Sequence, residues 1–335
     1  MPTESRKPSF FSVLSSMKLG LLLLLILGGM ASLGSLVPQA QPPQFYQAYY
    51  GALSGRIITF LGLDHVYRSW WFIVTGALLT VNLLTCSIKR IKKVPGLQGW
   101  GSIILHLSIL VILAGAFISG LLGHSNYIEI GNGDVIDLGA YGFPGYSLQL
   151  KGFRIEYYEN MQPKQYISDI SFITAKGDEF AREIMVNRPL KVGDLKIYQT
   201  SYGWLVRGQV LVKDNWQPFD LKSGRAFVVD PNKNERLVFY FIPDGIHPSS
   251  PLPSNPQLIV TLFREQQVLA REILAEKETK NVGGYAVTFF DYRYYSGLTL
   301  KKDPGIGVLY AGFIVLLVGL ILRYLSPEKR QGVDK

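Results

Sequence analysis

One histidine stands inside a stretch otherwise fit for hydrocarbon. In GWGSIILHLSILVILAGAFISGLLGH, residues 99–124, the imidazole of His106 is the titratable group with apolar or small residues on both sides. A helix starting just after Pro95-Gly96 puts it about two turns in, roughly 9–15 Å along the axis at 1.5 Å per residue. An ionisable side chain at that depth faces a bundle interior and takes a partner. Three readings stand: the ring N–H bonds a neighbouring helix, the ring sits neutral among small residues, or the neutral imidazole ligates a haem iron. His65 and His124 fall at or near the outer ends of apolar runs, where either could reach an extracytoplasmic ligand or simply be solvated. His247, in PDGIHPSS, is surrounded by loop formers and reads as solvated. No H-x-x-x-H spacing joins any of them, and no Gly-x-Ser-x-Gly elbow, phosphate loop or zinc-protease signature occurs. The single cysteine, Cys86, excludes a disulfide framework, a Cys-rich zinc site and a thiol relay within the chain. It reads as a small apolar packing residue. Nothing in the side-chain inventory declares an enzyme.

The elements that must carry these residues are apolar. Of 335 residues, 48% are hydrophobic and 18% charged, and four runs approach the length of a membrane span: Leu19–Val37, Trp70–Ile88, Gly101–Gly123 and Gly307–Leu325. About 20 residues cross the ~30 Å core of a bilayer as a helix. Trp70 and Trp71 sit where interfacial aromatic belts sit, and the stem of Arg323 reaches the interface from the end of the last run. The net charge of +9 does not call for nucleic acid, because 124–303 holds 21 basic and 21 acidic residues. The surplus lies at the membrane flanks: Arg6, Lys7 and Lys18 before the first run, Lys89, Arg90, Lys92 and Lys93 between the second and third, and Lys329, Arg330 and Lys335 at the end. The positive-inside rule then places both termini and the KRIKK loop in the cytoplasm and 124–303 outside it. The first run also resembles a secretory signal, yet it is longer than the usual signal core and reads as a retained helix.

The expected organisation is a cytoplasmic start over 1–18, helices at about 19–37, 70–88 and 101–123 with an outer loop over 38–69, an extracytoplasmic β-rich domain over 124–303, a fourth helix over 304–325, and a cytoplasmic tail over 326–335. Prolines in PQAQPPQFYQAYY stop the first helix as it leaves the membrane. FYQAYYGALSGRIITFLGL reads either as an interfacial helix or as a loop with aromatic anchors. In the exported segment, YIEIGNGDVIDL has the alternation and turn of a hairpin. SLQLKGFRIEYY, QYISDISFIT, DLKIYQTSYG, LVRGQVLVKD, ERLVFYFIP, PQLIVTLF and YAVTFFDYRYY continue as strands. Such strands at short intervals imply an antiparallel sandwich or open barrel. REQQVLAREILAEKE reads as a helix or as part of a further hairpin.

Six strings taken together resemble one family. SMKLGLLLLLILGGMASLGSLVPQ, YRSWWFIVTGALLTVNLLTCSIKR, HLSILVILAGAFISG and SGLTLKKDPGIGVLYAGFIVLLVGLIL resemble the membrane segments of the ResB/Ccs1 proteins of System II cytochrome c biogenesis, and YYENMQPKQYISDISFI and VNRPLKVGDLKIYQTSYG resemble their exported domain. The chain is similar to a short member, with its exported domain trimmed. The resemblance implies work with a second membrane protein of the CcsA/ResC group, which carries the tryptophan-rich WWD segment that is missing here. Together such proteins move haem outward and join its vinyl groups to the cysteines of an apocytochrome c Cys-x-x-Cys-His; a thioredoxin-like thiol reductase is a further implied partner. An intramembrane histidine in that family is associated with haem held between the two partners, and His106 is the position here that matches. The resemblance implies haem as a cofactor shared with the partner, a multi-pass location in the cytoplasmic (inner) membrane, and no catalytic residue of this chain's own. Two other functions stay open: a scaffold for the WWD-bearing subunit that does not touch haem, and a transporter subunit. The second is weakened by the scarcity of intramembrane polar groups, since solute pathways need several.

Overall fold

The structure, a computed structural model, describes residues 10–91, 96–174, 176–247 and 252–325. The outermost expected cytoplasmic stretches, 1–9 and 326–335, and Lys92 and Lys93 of the basic loop lie outside the described residues. The chain divides into a helical unit, Met1–Gly123 with Asp303–Lys335, and a β unit, His124–Lys302.

In the helical unit a short α1 (Phe10–Leu14) is followed by α2 (Met17–Leu36), with Ser16 extended between them at φ −81°, ψ 128°. α2 stops two residues short of Pro38, whose ring disfavours the helical conformation of the residue before it. The connection that follows is two helices, α3 (Pro43–Tyr50) and α4 (Ala52–Phe60), broken at Gly51, whose φ of 88° is in the region that favours glycine. Tyr46 is fully buried there and donates to the carbonyl of Pro38 at 2.6 Å, so the connection is a packed element. Gln39 ties it to a 3-10 turn over Leu63–Arg68, donating to Leu63 O and accepting from the Val66 amide. α5 (Trp70–Ile91), α6 (Gly96–Leu122) and, after the β unit, α7 (Gly305–Tyr324) complete the set. Among the described residues, α2, α5, α6 and α7 are the four helices long and apolar enough to cross a membrane.

α6 and α7 pack antiparallel along two matched stripes of small residues. On α7, Gly305, Gly312 and Gly319 are buried; on α6, Gly101, Ser108 and Gly115 are. Both stripes repeat every seven residues, which keeps one seam in register between two helices. The backbones come so close that a Cβ on Gly115 would lie 2.7 Å from the Leu309 amide nitrogen, and one on Gly319 2.9 Å from that of Leu105. In lipid, where no hydrophobic drive separates helix from solvent, such close backbone contact is what holds helices together.

The β unit contains β1 (His124–Gly131), β2 (Val135–Asp137), β3 (Ser147–Tyr157), β4 (Pro163–Ile173) and β5 (Glu179–Met185). β6 (Leu190–Val192), β7 (Leu195–Val212), β8 (Asn215–Lys222), β9 (Ala226–Asp230) and β10 (Glu235–Ile242) follow. β11 (Gln257–Arg264), β12 (Gln267–Ala275), β13 (Thr279–Val282) and β14 (Tyr285–Lys302) complete it. All pairings between these strands are antiparallel, in sheets ordered β1-β14-β7-β6 (with β13 beside β14 and β8 beside β7), β2-β3-β4-β5 and β12-β11-β10-β9. The two 18-residue strands β7 and β14 run through the whole unit and serve two sandwiches. Their half with β1 and β6 packs on the β2–β5 sheet around Ile128, Leu148, Phe172 and Ile197; their half with β8 and β13 packs on the β9–β12 sheet around Val210, Phe239, Val260 and Phe289. Trp204, stacked on Tyr294 at 3.9 Å between ring centroids, joins the two cores at the waist. The fold is thus a sandwich, used twice, with no closed barrel.

Two local expectations are altered. YIEIGNGDVIDL turns at Asn132–Asp134 but its arms do not pair: β1 lies on β14, and β2 lies on β3. The cause is that β14 captures the turn, with the Asn132 amide donating to Tyr294 O at 3.0 Å and Arg293 donating to Asn132 O and to the Asp134 carboxylate. REQQVLAREILAEKE is no helix: β11 and β12 form a hairpin about Glu265, whose φ is 56°. β12 gains sheet hydrogen bonds that outweigh its helical propensity.

Glu235 ties the second sandwich together, accepting from the Tyr285 hydroxyl at 2.7 Å and from Arg264 at 2.7 Å. The Tyr285 hydrogen bond first and the Arg264 guanidinium second hold its carboxyl below the usual range, while burial and this carboxylate push the Tyr285 phenol up to about 12. A depressed carboxyl contributes stability that is present above its unfolded pKa and lost as pH falls through its folded one. The thermal midpoint of the β unit in the full chain should therefore fall as pH drops below about 4.3, the ordinary value for Glu, and the fall should be smaller in Glu235→Gln. For the helical unit, Gly115→Leu should cost about 1–3 kcal/mol by overpacking, read as a lower thermal midpoint in detergent. Gly120→Leu, where a Cβ meets nothing within 4 Å, should leave that midpoint unchanged.

Candidate functional site

α6 carries His106 ten residues beyond its first residue, about 15 Å along the axis. The ring is half-buried, and its Nδ1 lies 3.4 Å from the Ser87 hydroxyl on α5. That hydroxyl already donates its proton to Leu83 O at 2.7 Å. Its oxygen is therefore left to accept, which places the imidazole proton on Nδ1 and the lone pair on Nε2. Among the described residues Nε2 has no hydrogen-bond partner, so the nitrogen suited to ligate a metal is the one left open.

The ring lines a cavity of about 310 Å³ between α2, α5 and α6. Leu21 and Leu24 of α2, Leu79 and Leu83 of α5, and Ile109 of α6 supply most of its apolar wall. Lys89 and Arg90 line it as well, and Arg90 spans to α6 by donating to Ser102 Oγ at 2.7 Å.

The cavity floor is built by an interaction at the break between α1 and α2. A helix that ends leaves its last carbonyls without intrahelical partners. α5 supplies them from one polar stripe. Asn82 donates to Leu14 O at 2.6 Å and Ser16 O at 3.1 Å, Thr85 to Leu14 O, and Cys86 to Ser15 O at 3.3 Å. Lys89 donates to Phe11 O at 3.3 Å and to the Ser15 hydroxyl. Cys86 is thus a weak donor on the cavity wall as well as a packing residue. The signal for this stripe was present in the sequence as polar residues three and four apart on an apolar helix, but its partner could not be read there.

The other histidines do not join His106. His65, half-exposed on the 3-10 turn before α5, has Nδ1 2.8 Å from the buried carboxylate of Asp64. His124 opens β1 in the β unit, its ring 5.4 Å from that of Phe143. His247 lies beside Asp244 in an exposed loop, at 3.5 Å. Among the described residues no group of three His, Cys, Asp or Glu side chains could hold a metal ion. One imidazole facing an apolar cavity can complete a coordination sphere that a second molecule supplies; it cannot build one alone.

Four membrane-spanning helices joined to a two-sandwich antiparallel β unit define a polytopic membrane protein with a large extramembrane domain. The chain belongs to the ResB-like family, which it matches over residues 17–95, 96–281 and 249–333. It is similar to the cytochrome c biogenesis protein CcsB of Trichormus variabilis, 27% identical over 415 aligned positions that cover all of this chain and 88% of that protein. The same description applies to CcsB of Gloeobacter violaceus, 27% identical over 94% of this chain and 83% of that one. Ccs1 of Pyropia yezoensis, also a cytochrome c biogenesis protein, is 25% identical over 96% and 88%. Among solved structures, the cytochrome c haem lyase CcmF covers 91% of this chain and 40% of its own at 10% identity and a TM-score of 0.30, a likeness too distant to bear on fold or function.

Asn82→Ala, which removes two hydrogen bonds to the α1–α2 break, should lower stability by about 0.6–2 kcal/mol, the span found for interhelical hydrogen bonds in membranes. Thermal unfolding in detergent measures it. Thr80→Ala, whose hydroxyl bonds Gly76 O within α5 itself, should shift the midpoint far less.

Proposed function

We propose that this chain is a haem-handling subunit of a cytochrome c synthase and that His106 supplies one axial ligand to haem held between it and a partner membrane protein. The observation that carries the reading is the open Nε2 of an imidazole set on the wall of an apolar cavity by Ser87. Membership of the ResB-like family and the cytochrome c biogenesis relatives support it. At about 310 Å³, the cavity is at the small end of ligand pockets, which run from about 300 to 1,000 Å³. It would house one edge of the macrocycle, and a CcsA/ResC-like WWD-domain protein would cover the rest and complete the coordination that His106 begins.

Haem iron, when bound, supplies the redox state that thioether formation needs, tuned by its axial ligands. The residues of this chain position and protect. Ser87 holds the His106 tautomer, and the leucines of α2 and α5 keep water from the iron. The basic loop and both termini lie in the cytoplasm, and the segment 124–303 lies outside it. There the β unit meets the apocytochrome c Cys-x-x-Cys-His segment, and holding peptide and haem together lowers the entropic barrier to ligation. With Cys86 alone in the chain, reduction of the apocytochrome cysteines falls to a thioredoxin-like reductase. His65, oriented by Asp64, and then His124 are the secondary candidates for contact with haem at the outer interface.

The transporter reading loses ground on a specific observation: Asn82, Thr85 and Cys86 of α5 already donate to the carbonyls of the α1–α2 break. Purification of the chain with a WWD-bearing partner should yield a complex with a Soret band. In His106→Ala that band should fall several-fold and recover on addition of imidazole. Unchanged haem content, with normal cytochrome c maturation in His106→Leu cells, would make the chain a scaffold that does not touch haem.

A further inference from the structure

The cavity beside His106 has two unlike ends. At one, Leu21, Leu24, Leu79 and Leu83 face it; at the other stand Lys89 and Arg90. Along α5, Leu79 and Arg90 are about 16 Å apart at 1.5 Å per residue. Ser87, which marks the level of the imidazole, is only about 3–5 Å from the two cations on the same scale. Lys89 is held by Phe11 O and Ser15 Oγ, and Arg90 by Ser102 Oγ. Every one of these acceptors is neutral, so among the described residues neither positive charge is paired with a carboxylate.

Among the described residues of this unit no carboxylate is placed to answer them. Its described residues include two, Asp64 and Asp303. Asp64 precedes α5 and pairs with His65; Asp303 precedes α7 and accepts from Ser119 near the end of α6. Both therefore lie at the opposite end of the helices from Lys89 and Arg90. Uncompensated cations at the rim of an apolar cavity favour a ligand with an apolar body and an anionic end, since charge-assisted contacts are the strong ones where water is scarce.

We infer that Lys89 and Arg90 bind the carboxylates of the ligand that His106 grips. The inference rests on the functional reading above. For haem it sets the propionates at the Lys89 and Arg90 end, towards the cytoplasm, and the vinyl edge at the leucine end, towards the outer face where the thioether bonds are made. The two cations select for free propionates and fix which way round the macrocycle enters.

The test uses the full chain together with its WWD-bearing partner in nanodiscs of phosphatidylcholine, titrated with ferric haem and with ferric haem dimethyl ester and followed by the Soret shift. The ester keeps the iron and the ring but removes both charges. Haem should bind at least tenfold more tightly than the ester. In the double variant Lys89→Gln, Arg90→Gln the haem affinity should fall to that of the ester, while the ester affinity stays unchanged and certifies that fold and imidazole are intact. His106→Ala should weaken both ligands alike. Equal affinities for acid and ester in the unaltered chain, or equal losses of both in the double variant, would overturn the inference and leave haem binding standing. So would loss of the preference for haem when phosphatidylglycerol is added, because the cations would then belong to anionic headgroups of the inner leaflet. Absence of binding by either ligand would overturn the functional reading and this one with it.

Discussion

A helix that stops leaves backbone carbonyls without intrahelical partners, and the break between α1 and α2 frees several. α5 supplies the donors, from Asn82 to Lys89 along one stripe, and this determines much else in the helical unit. The stripe brings the start of α2 against α5: at Gly20, a Cβ would meet the Asn82 side chain at 2.5 Å. The same stretch of α5 presents Ser87 and Arg90 to α6. α5 thus serves two neighbours at once, and the space between α2, α5 and α6 is the cavity on which His106 opens.

The α6–α7 pair is the fixed partner of this arrangement. Glycine and serine at heptad spacing on facing helices allow backbones to touch, and lipid contributes no competing attraction for such surfaces. A helix held so closely along its length is a steady mount for a single imidazole. The α2–α5 side is built differently, from hydrogen bonds to a broken helix and with fewer close backbone contacts. The cavity is thus bounded by close backbone packing on one side and by hydrogen bonds to a broken helix on the other.

Outside the helical unit, β7 and β14 solve a different problem. Two small sandwiches would each have a marginal core, because surface dominates in small folds. Running two 18-residue strands through both lets one ribbon bury residues in each core, with Trp204 and Tyr294 filling the waist between them. Their bulges, at Phe289–Asp291 and Gly297–Leu298, let the ribbon change its facing partner sheet along its length.

The sequence by itself determined the number of membrane helices, the alternation of the long strands and the presence of a lone imidazole in an apolar run, because each is a property of local composition and period. It determined the family too, since the resembling strings span both units. It left open whether REQQVLAREILAEKE is helix or strand, and it misplaced the partners of the arms of YIEIGNGDVIDL, since pairing depends on which strand arrives from far along the chain; here β14 did. Ser87 was invisible as a positioning residue for the same reason: its role needs α5 and α6 side by side and its proton already given to Leu83. Lys89 and Arg90 read as ordinary flanking charge until the structure set them at the rim of the cavity, away from both described carboxylates of their unit. Local pattern fixes what each segment can become, but which side chains meet across a bundle is decided only when backbones pack, and a site made of such meetings belongs to the tertiary structure.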